Sequence, residues 1–202
     1  MRAIHNLSDS SKEGDGRAKG LKMFTRMQDG TKEDWAIIGA AHKEHFYKTP
    51  DTIMDMLKSL ENVTVGFACD QLQHCLMTGT LARADNATDE EVVIAVLHDI
   101  GKAVNIPNHG AIGAELMRPY ISDDAYHAIY NHQHFQGKYY YDYMGANPNM
   151  RDDCKDKSWY GLAEKLVDRW DAPAFDPDFK VDPIESFEPL IQKTFAQPIK
   201  PL

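Results

Sequence analysis

The sequence predicts an all-α fold, a compact helical bundle. Three observations predict it: apolar residues recur at helical spacing from Asp34 onward, helix-start signals stand at the heads of several of these runs, and no stretch alternates polar and apolar with period two. With 202 residues, 43% of them hydrophobic, the chain is long enough for one domain with a full core. The expected organisation is a flexible tail over residues 1–20, rich in Ser, Gly and charge, followed by a single domain over 21–202 that carries a C-terminal extension.

The elements follow in order. Trp35-Ala36-Ile37-Ile38 opens a helix running to about Tyr47. Thr49 then suits a cap and Pro50 a first helical position, ahead of Ile53, Met54, Met56, Leu57 and Leu60 at helical spacing. A third helix holds Leu72, Leu76, Thr80 and Leu81, and with them His74. Thr88 and Glu91 form a capping box, T-x-x-E, before the run Val92-Val93-Ile94-Ala95-Val96-Leu97-His98-Asp99-Ile100. That run is apolar nearly all round, as in a central buried helix. Further helical segments are expected at about 109–119, 122–135, 156–171 and, after a Pro- and Asp-rich loop, 186–195.

Composition narrows the function. A net charge of −9 opposes binding to nucleic acid backbones, while leaving room for a small anion held by local lysines. No run approaches the roughly 20 apolar residues of a membrane span, and the polar N-terminus has no signal-peptide core, so a cytoplasmic protein with no membrane partner is expected. Cys69, Cys75 and Cys154 are an odd set without paired spacing, which fits reduced thiols, and Cys69 and Cys75 read as core residues. The oligomeric state stays open, a homodimer being one option.

The chemistry centres on His98-Asp99. An ionised Asp inside the most apolar run needs a charge partner or a metal, and the neighbouring His needs a partner too; a metal serves both. His74, 24 residues earlier on the preceding helix, can face His98 across an antiparallel pair. Asp171, after Arg169-Trp170, adds a later carboxylate. This mixed nitrogen and oxygen set suits iron, manganese, cobalt or nickel better than calcium.

The order His74, His98-Asp99, Asp171 resembles the HD-domain superfamily over roughly residues 60–175. The match is closest to the HD-domain oxygenases that use a mixed-valence di-iron pair, among them organophosphonate-cleaving enzymes and myo-inositol oxygenase. Gln71-Leu72-Gln73-His74 resembles their first-ligand motif, His109-Gly110-Ala111-Ile112-Gly113-Ala114 through Arg118 the third-histidine helix, His134 with Lys138 the fourth-histidine motif, and Arg169-Trp170-Asp171 the last ligand. His98-Asp99-Ile100-Gly101-Lys102 resembles the HDxGK of myo-inositol oxygenase, whose Lys contacts substrate. The resemblance implies two irons bridged by Asp99, one completed by His74, His98 and Asp171, the other held by His109 and His134. His132 is the alternative to His134, since the two point about 200° apart on a helix and one alone can face the site. Where the phosphonate enzymes carry a gating Tyr and Glu this chain has Thr64 and Phe67, and Asp168 stands where they place an Arg. Phe24-Thr25-Arg26-Met27, Phe135-Gln136-Gly137 and Phe175-Asp176-Pro177 resemble a group of bacterial HD proteins labelled phosphohydrolases.

Two activities are therefore expected. In the first, a di-iron oxygenase cleaves a small hydroxylated, anionic or zwitterionic substrate with O2. In the alternative, a manganese-, cobalt- or nickel-dependent phosphohydrolase attacks a nucleotide or other phosphate ester. In both, Asp99, Lys102 and Lys138 are the candidate catalytic residues, and Lys102 and Lys138 the substrate anchors; Lys102 stands one helical turn after His98. His42 and His45 read as a solvated face, Trp159 and Trp170 as core, and Tyr139-Tyr140-Tyr141-Asp142-Tyr143 as packing.

Overall fold

A computed structural model describes residues 24–200. The expected tail over residues 1–20 lies outside the described residues. Two compact units divide between His42 and Lys43. In the first, Phe24 packs its ring at 5.1 Å from Trp35 near the start of helix α1 (Lys32–Phe46). His42 and His45 face solvent, as a polar helical face requires.

The second unit holds α2 (Thr49–Lys58), α3 (Gln71–Ala84), α4 (Asp89–Leu97), α5 (His109–Met117), α6 (Asp123–Gln136), α7 (Tyr160–Lys165) and α8 (Glu188–Phe195). No strand occurs among the described residues. Local chemistry sets several starts. Asp70 accepts from Gln73 N–H ahead of α3, Ser122 accepts from Ala125 N–H ahead of α6, and Thr88 and Glu91 close the capping box of α4. Thr49 lies one residue inside α2, with Lys48 at the cap.

Val92 through Leu97 are all buried, so α4 is the central helix. Around it pack Leu57 and Leu60, Ile100, Met117, Ile129, Trp170, Phe187 and Phe195. Each such side chain contributes about 1.5–3 kcal/mol by leaving water, and these contacts fix the helices that carry the site. A smaller cluster of Ala128, Phe135, Trp159, Ala163 and Val167 seats α7 against α6.

Two departures from regular helix matter. The helix α4 ends at Leu97, so His98 and Asp99 sit just past its C-terminus, not within it as the apolar run suggests. The imidazole Nδ1–H of His98 donates to the Ala95 carbonyl, and a 3-10 turn (Ile100–Ala103) follows. The chain after α7 widens into a π-helical segment, Leu166–Asp171, sealed by Ala172 N–H donating to Val167 O. Such wide turns often occur at functional sites, and this one ends on Asp171.

Candidate metal centre

Six fully or almost fully buried polar side chains converge where α3, the end of α4, α5, α6 and the π segment meet: His74, His98, Asp99, His109, His132 and Asp171. Each histidine is oriented by a backbone carbonyl. The Nδ1–H groups of His74, His98, His109 and His132 donate to Ala174, Ala95, Ile106 and Ile129, at 2.8, 2.8, 2.7 and 2.6 Å. A carbonyl only accepts, so the ring proton is on Nδ1 and every Nε2 presents a lone pair.

These lone pairs face one another and the carboxylates. The Nε2 atoms of His74 and His98 are 3.2 Å apart, and those of His109 and His132 are 3.1 Å apart. Asp99 lies between the pairs. Its Oδ2 is 3.4 Å from both His74 and His98, and its Oδ1 is 2.9 Å from His109 and 3.4 Å from His132. Asp171 Oδ1 lies 3.3 Å from His74 and 3.6 Å from His98.

Lone pairs aimed at lone pairs repel unless a cation sits among them. Asp99 Oδ1 and Asp171 Oδ1 are buried without a hydrogen-bond partner. Donors held about 2.1 Å from one metal at right angles are themselves about 3 Å apart, so the spacing fits coordination. Two groups result: His74, His98 and Asp99 with Asp171 beside them, and Asp99, His109 and His132. The residues present therefore fit one or two metal ions.

Electrostatics agree. Burial alone pulls the His74 imidazole down, but the carboxylates of Asp171 and Asp99 outweigh it and push its pKa up to about 10; without a metal, a proton takes the cation's place. Burial pushes Asp99 and Asp171 up, yet the surrounding histidines, and Lys102 for Asp99, hold both below the ordinary carboxylate range. His132 is lowered by its burial.

The matching family model is the HD domain, over residues 72–173, half of the chain. The chain is an HD-domain protein. HD domains are mostly metal-dependent enzymes, and the matched residues include all six of the converging side chains. No curated protein matches this HD-domain chain.

The site corrects two expectations. The fourth histidine is His132, with its Nε2 in the cluster; His134, on the opposite side of α6, is partly exposed. The Lys138 spacing misled, because Lys138 itself does not reach the centre. Its Nζ donates to Asp168 at 2.7 Å and lies over the Tyr139 ring, and Asp168 is also gripped by Arg151. Lys102 does reach the centre, donating to Asp99 Oδ2 and to Gln71 Oε1, both at 2.5 Å.

Several contributors escaped the sequence reading. Gln136, one turn beyond His132, donates its amide to Asp171 Oδ2 at 2.6 Å and so turns Oδ1 toward His74 and His98; the i, i+4 spacing was its signal. Phe175 stacks on His74 at 4.3 Å between centroids, and Phe67 stacks on Phe175 at 4.6 Å. Arg151, buried, pairs with Asp168 and Glu164, and nothing in its sequence context marks it. Of the tyrosine run, Tyr139 and Tyr143 are exposed instead of packed.

No helix among the described residues is long and apolar enough to cross a membrane.

Proposed function

We propose that this HD-domain protein is a dinuclear metal enzyme, and specifically a di-iron oxygenase that cleaves a small hydroxylated substrate with O2. One observation carries the reading: the two oxygens of Asp99 face different histidine pairs, which is what a bridging carboxylate between two metals requires. Four imidazoles against two carboxylates make a nitrogen-rich set that suits iron. An iron pair at this site would supply O2 activation and Lewis acidity.

The protein's own contributions can be read from its residues. Asp99 with His74, His98 and Asp171 offers four donors to one metal, while Asp99 with His109 and His132 offers three to the other. Asp99, His109 and His132 would hold the second ion with fewer protein donors and would so leave it more room for small oxygen ligands. The carbonyl partners of the four Nδ1–H groups hold the rings in register, and burial excludes bulk water from the ligand side chains. Lys102 places a positive charge against the Asp99 carboxylate, where it can hold a proton at Oδ2.

Charge around the centre favours this reading over phosphate ester hydrolysis. Lys138 and Arg151 are occupied by Asp168, and Lys102, shared with Asp99 and Gln71, keeps a single N–H for a ligand oxygen. A phosphate dianion would find few unpaired cations beyond the metals. The hydrolase remains the second reading, favoured by the HD-domain match itself.

The test is metal analysis of protein purified without oxygen, followed by electron paramagnetic resonance after partial oxidation. Two irons per chain with the signal of a coupled iron(II)/iron(III) pair are expected. One metal per chain, or a manganese- or cobalt-loaded protein that turns over phosphate esters without O2, would replace this reading with the hydrolase.

A further inference from the structure

Gln71 is the first residue of α3, three before His74 and therefore on the same helical face. It is fully buried. Its Oε1 accepts from Lys102 Nζ at 2.5 Å, and the same Nζ donates to Asp99 Oδ2 at 2.5 Å. This fixes the orientation of the amide. An ammonium has donors only, so the atom facing Lys102 must be the oxygen, and Nε2 points elsewhere. There it has no hydrogen-bond partner although it is shut off from solvent.

Three buried side-chain atoms among the described residues lack a partner: Asp99 Oδ1, Asp171 Oδ1 and Gln71 Nε2. The first two are acceptors, and a metal ion satisfies them. The third is a donor, which a cation cannot satisfy. It calls for an acceptor, and it lies one hydrogen-bonded lysine away from the bridging carboxylate. Lys102 adds to the demand, because two of its three N–H groups are used and the third is free to donate. Amide and ammonium thus each keep a donor without a partner, in the hydrogen-bond chain that ends on Asp99.

We propose that Gln71 is a substrate-binding residue: its Nε2 donates to an ionised oxygen of the substrate, while its Oε1 holds Lys102 in place. The substrate class that meets both the metals and these donors is a small hydroxy acid, whose hydroxyl oxygen faces the metals and whose acid oxygen accepts from Gln71 and Lys102. The inference rests on the dinuclear reading above. It adds a residue to recognition and assigns the acid group of the substrate a place.

The test uses full-length protein loaded with cobalt(II), counted by metal analysis and titrated with glycolate by visible absorption, with ethylene glycol as the neutral control. Two cobalt ions per chain are expected, with a spectral change on glycolate and none at equal concentrations of the diol. Gln71→Glu keeps an oxygen for Lys102 but replaces the donor by a negative acceptor; glycolate binding should weaken at least tenfold while two cobalt ions remain. Gln71→Met removes the donor without adding charge and should weaken glycolate in the same direction, which keeps the idea testable if the Glu variant does not fold. Unchanged glycolate affinity in either folded, two-cobalt variant overturns the role of Gln71. A wild-type protein that binds two cobalt ions but responds equally to the diol and to glycolate, or to neither, overturns the hydroxy-acid class. Fewer than two cobalt ions in the wild type overturns the dinuclear reading and this inference with it.

Discussion

A Cβ on Gly101 would lie 2.1 Å from the carbonyl oxygen of His109. The turn after His98-Asp99 therefore touches the start of α5, and this contact is what lets His109 approach Asp99 from the far side. Gly101→Ala must push the two segments apart. We expect a loss of about 3 kcal/mol in stability from overpacking, together with weaker metal binding at the proposed site of His109 and His132. Urea unfolding and a metal count on the same preparation check both.

The fourth histidine separates two outcomes cleanly. His132→Ala should leave about one metal per chain, since it removes a nitrogen facing Asp99 Oδ1. His134→Ala, on the partly exposed side of α6, should retain two. Two metals in both variants, or one in both, would contradict the ligand geometry described above.

Gln136 acts through Asp171. With its 2.6 Å hydrogen bond removed in Gln136→Ala, Asp171 is free to turn, and metal affinity should fall by about 10- to 100-fold. Competition with a chelator of known affinity measures this. Exhaustive chelation of the wild type should also lower its melting temperature, because the converging lone pairs and carboxylates lose their cation.

Asp168 gives a pH signature independent of metal. Burial pushes its carboxyl up, but Arg151 and Lys138 outweigh this and hold it below the ordinary carboxylate range. With the folded pKa below the unfolded value, the contribution of the carboxylate is complete above about pH 4 and is lost as pH falls through the lower, folded value. In chelated protein, Asp168→Asn should be about 2 kcal/mol less stable than wild type at neutral pH, and the gap should close in acid. A gap that stays constant down to pH 2 would show that the ion pair contributes nothing.

Much of this was legible in the chain. Helical periodicity and the Thr88-Glu91 capping box placed α4, because a capping box and an apolar period are local properties of a few consecutive residues. His98 and Asp99 could be singled out because ionisable side chains set in an apolar run are costly to bury without a partner or a metal, whereas His74 and Asp171 joined them through helix pairing and the HD-domain resemblance. Trp159 and Trp170 were readable as core because large apolar side chains gain most by leaving water.

What the sequence determined alone was the helical class and the residue types of the centre. The tertiary structure decided which of them meet. In one dimension the Lys138 spacing points to His134, and only the rotation of α6 against α5 brings His132 to the centre instead. Lys138 has the spacing of an anchor, yet Asp168 and the Tyr139 ring capture it. Gln71, Gln136 and Arg151 carry no local signal strong enough to assign a role, since their partners are 31, 35 and 17 residues distant along the chain. Helix formation is encoded over one or two turns, whereas side-chain convergence depends on how packed helices rotate and approach, and that is set by the whole core at once.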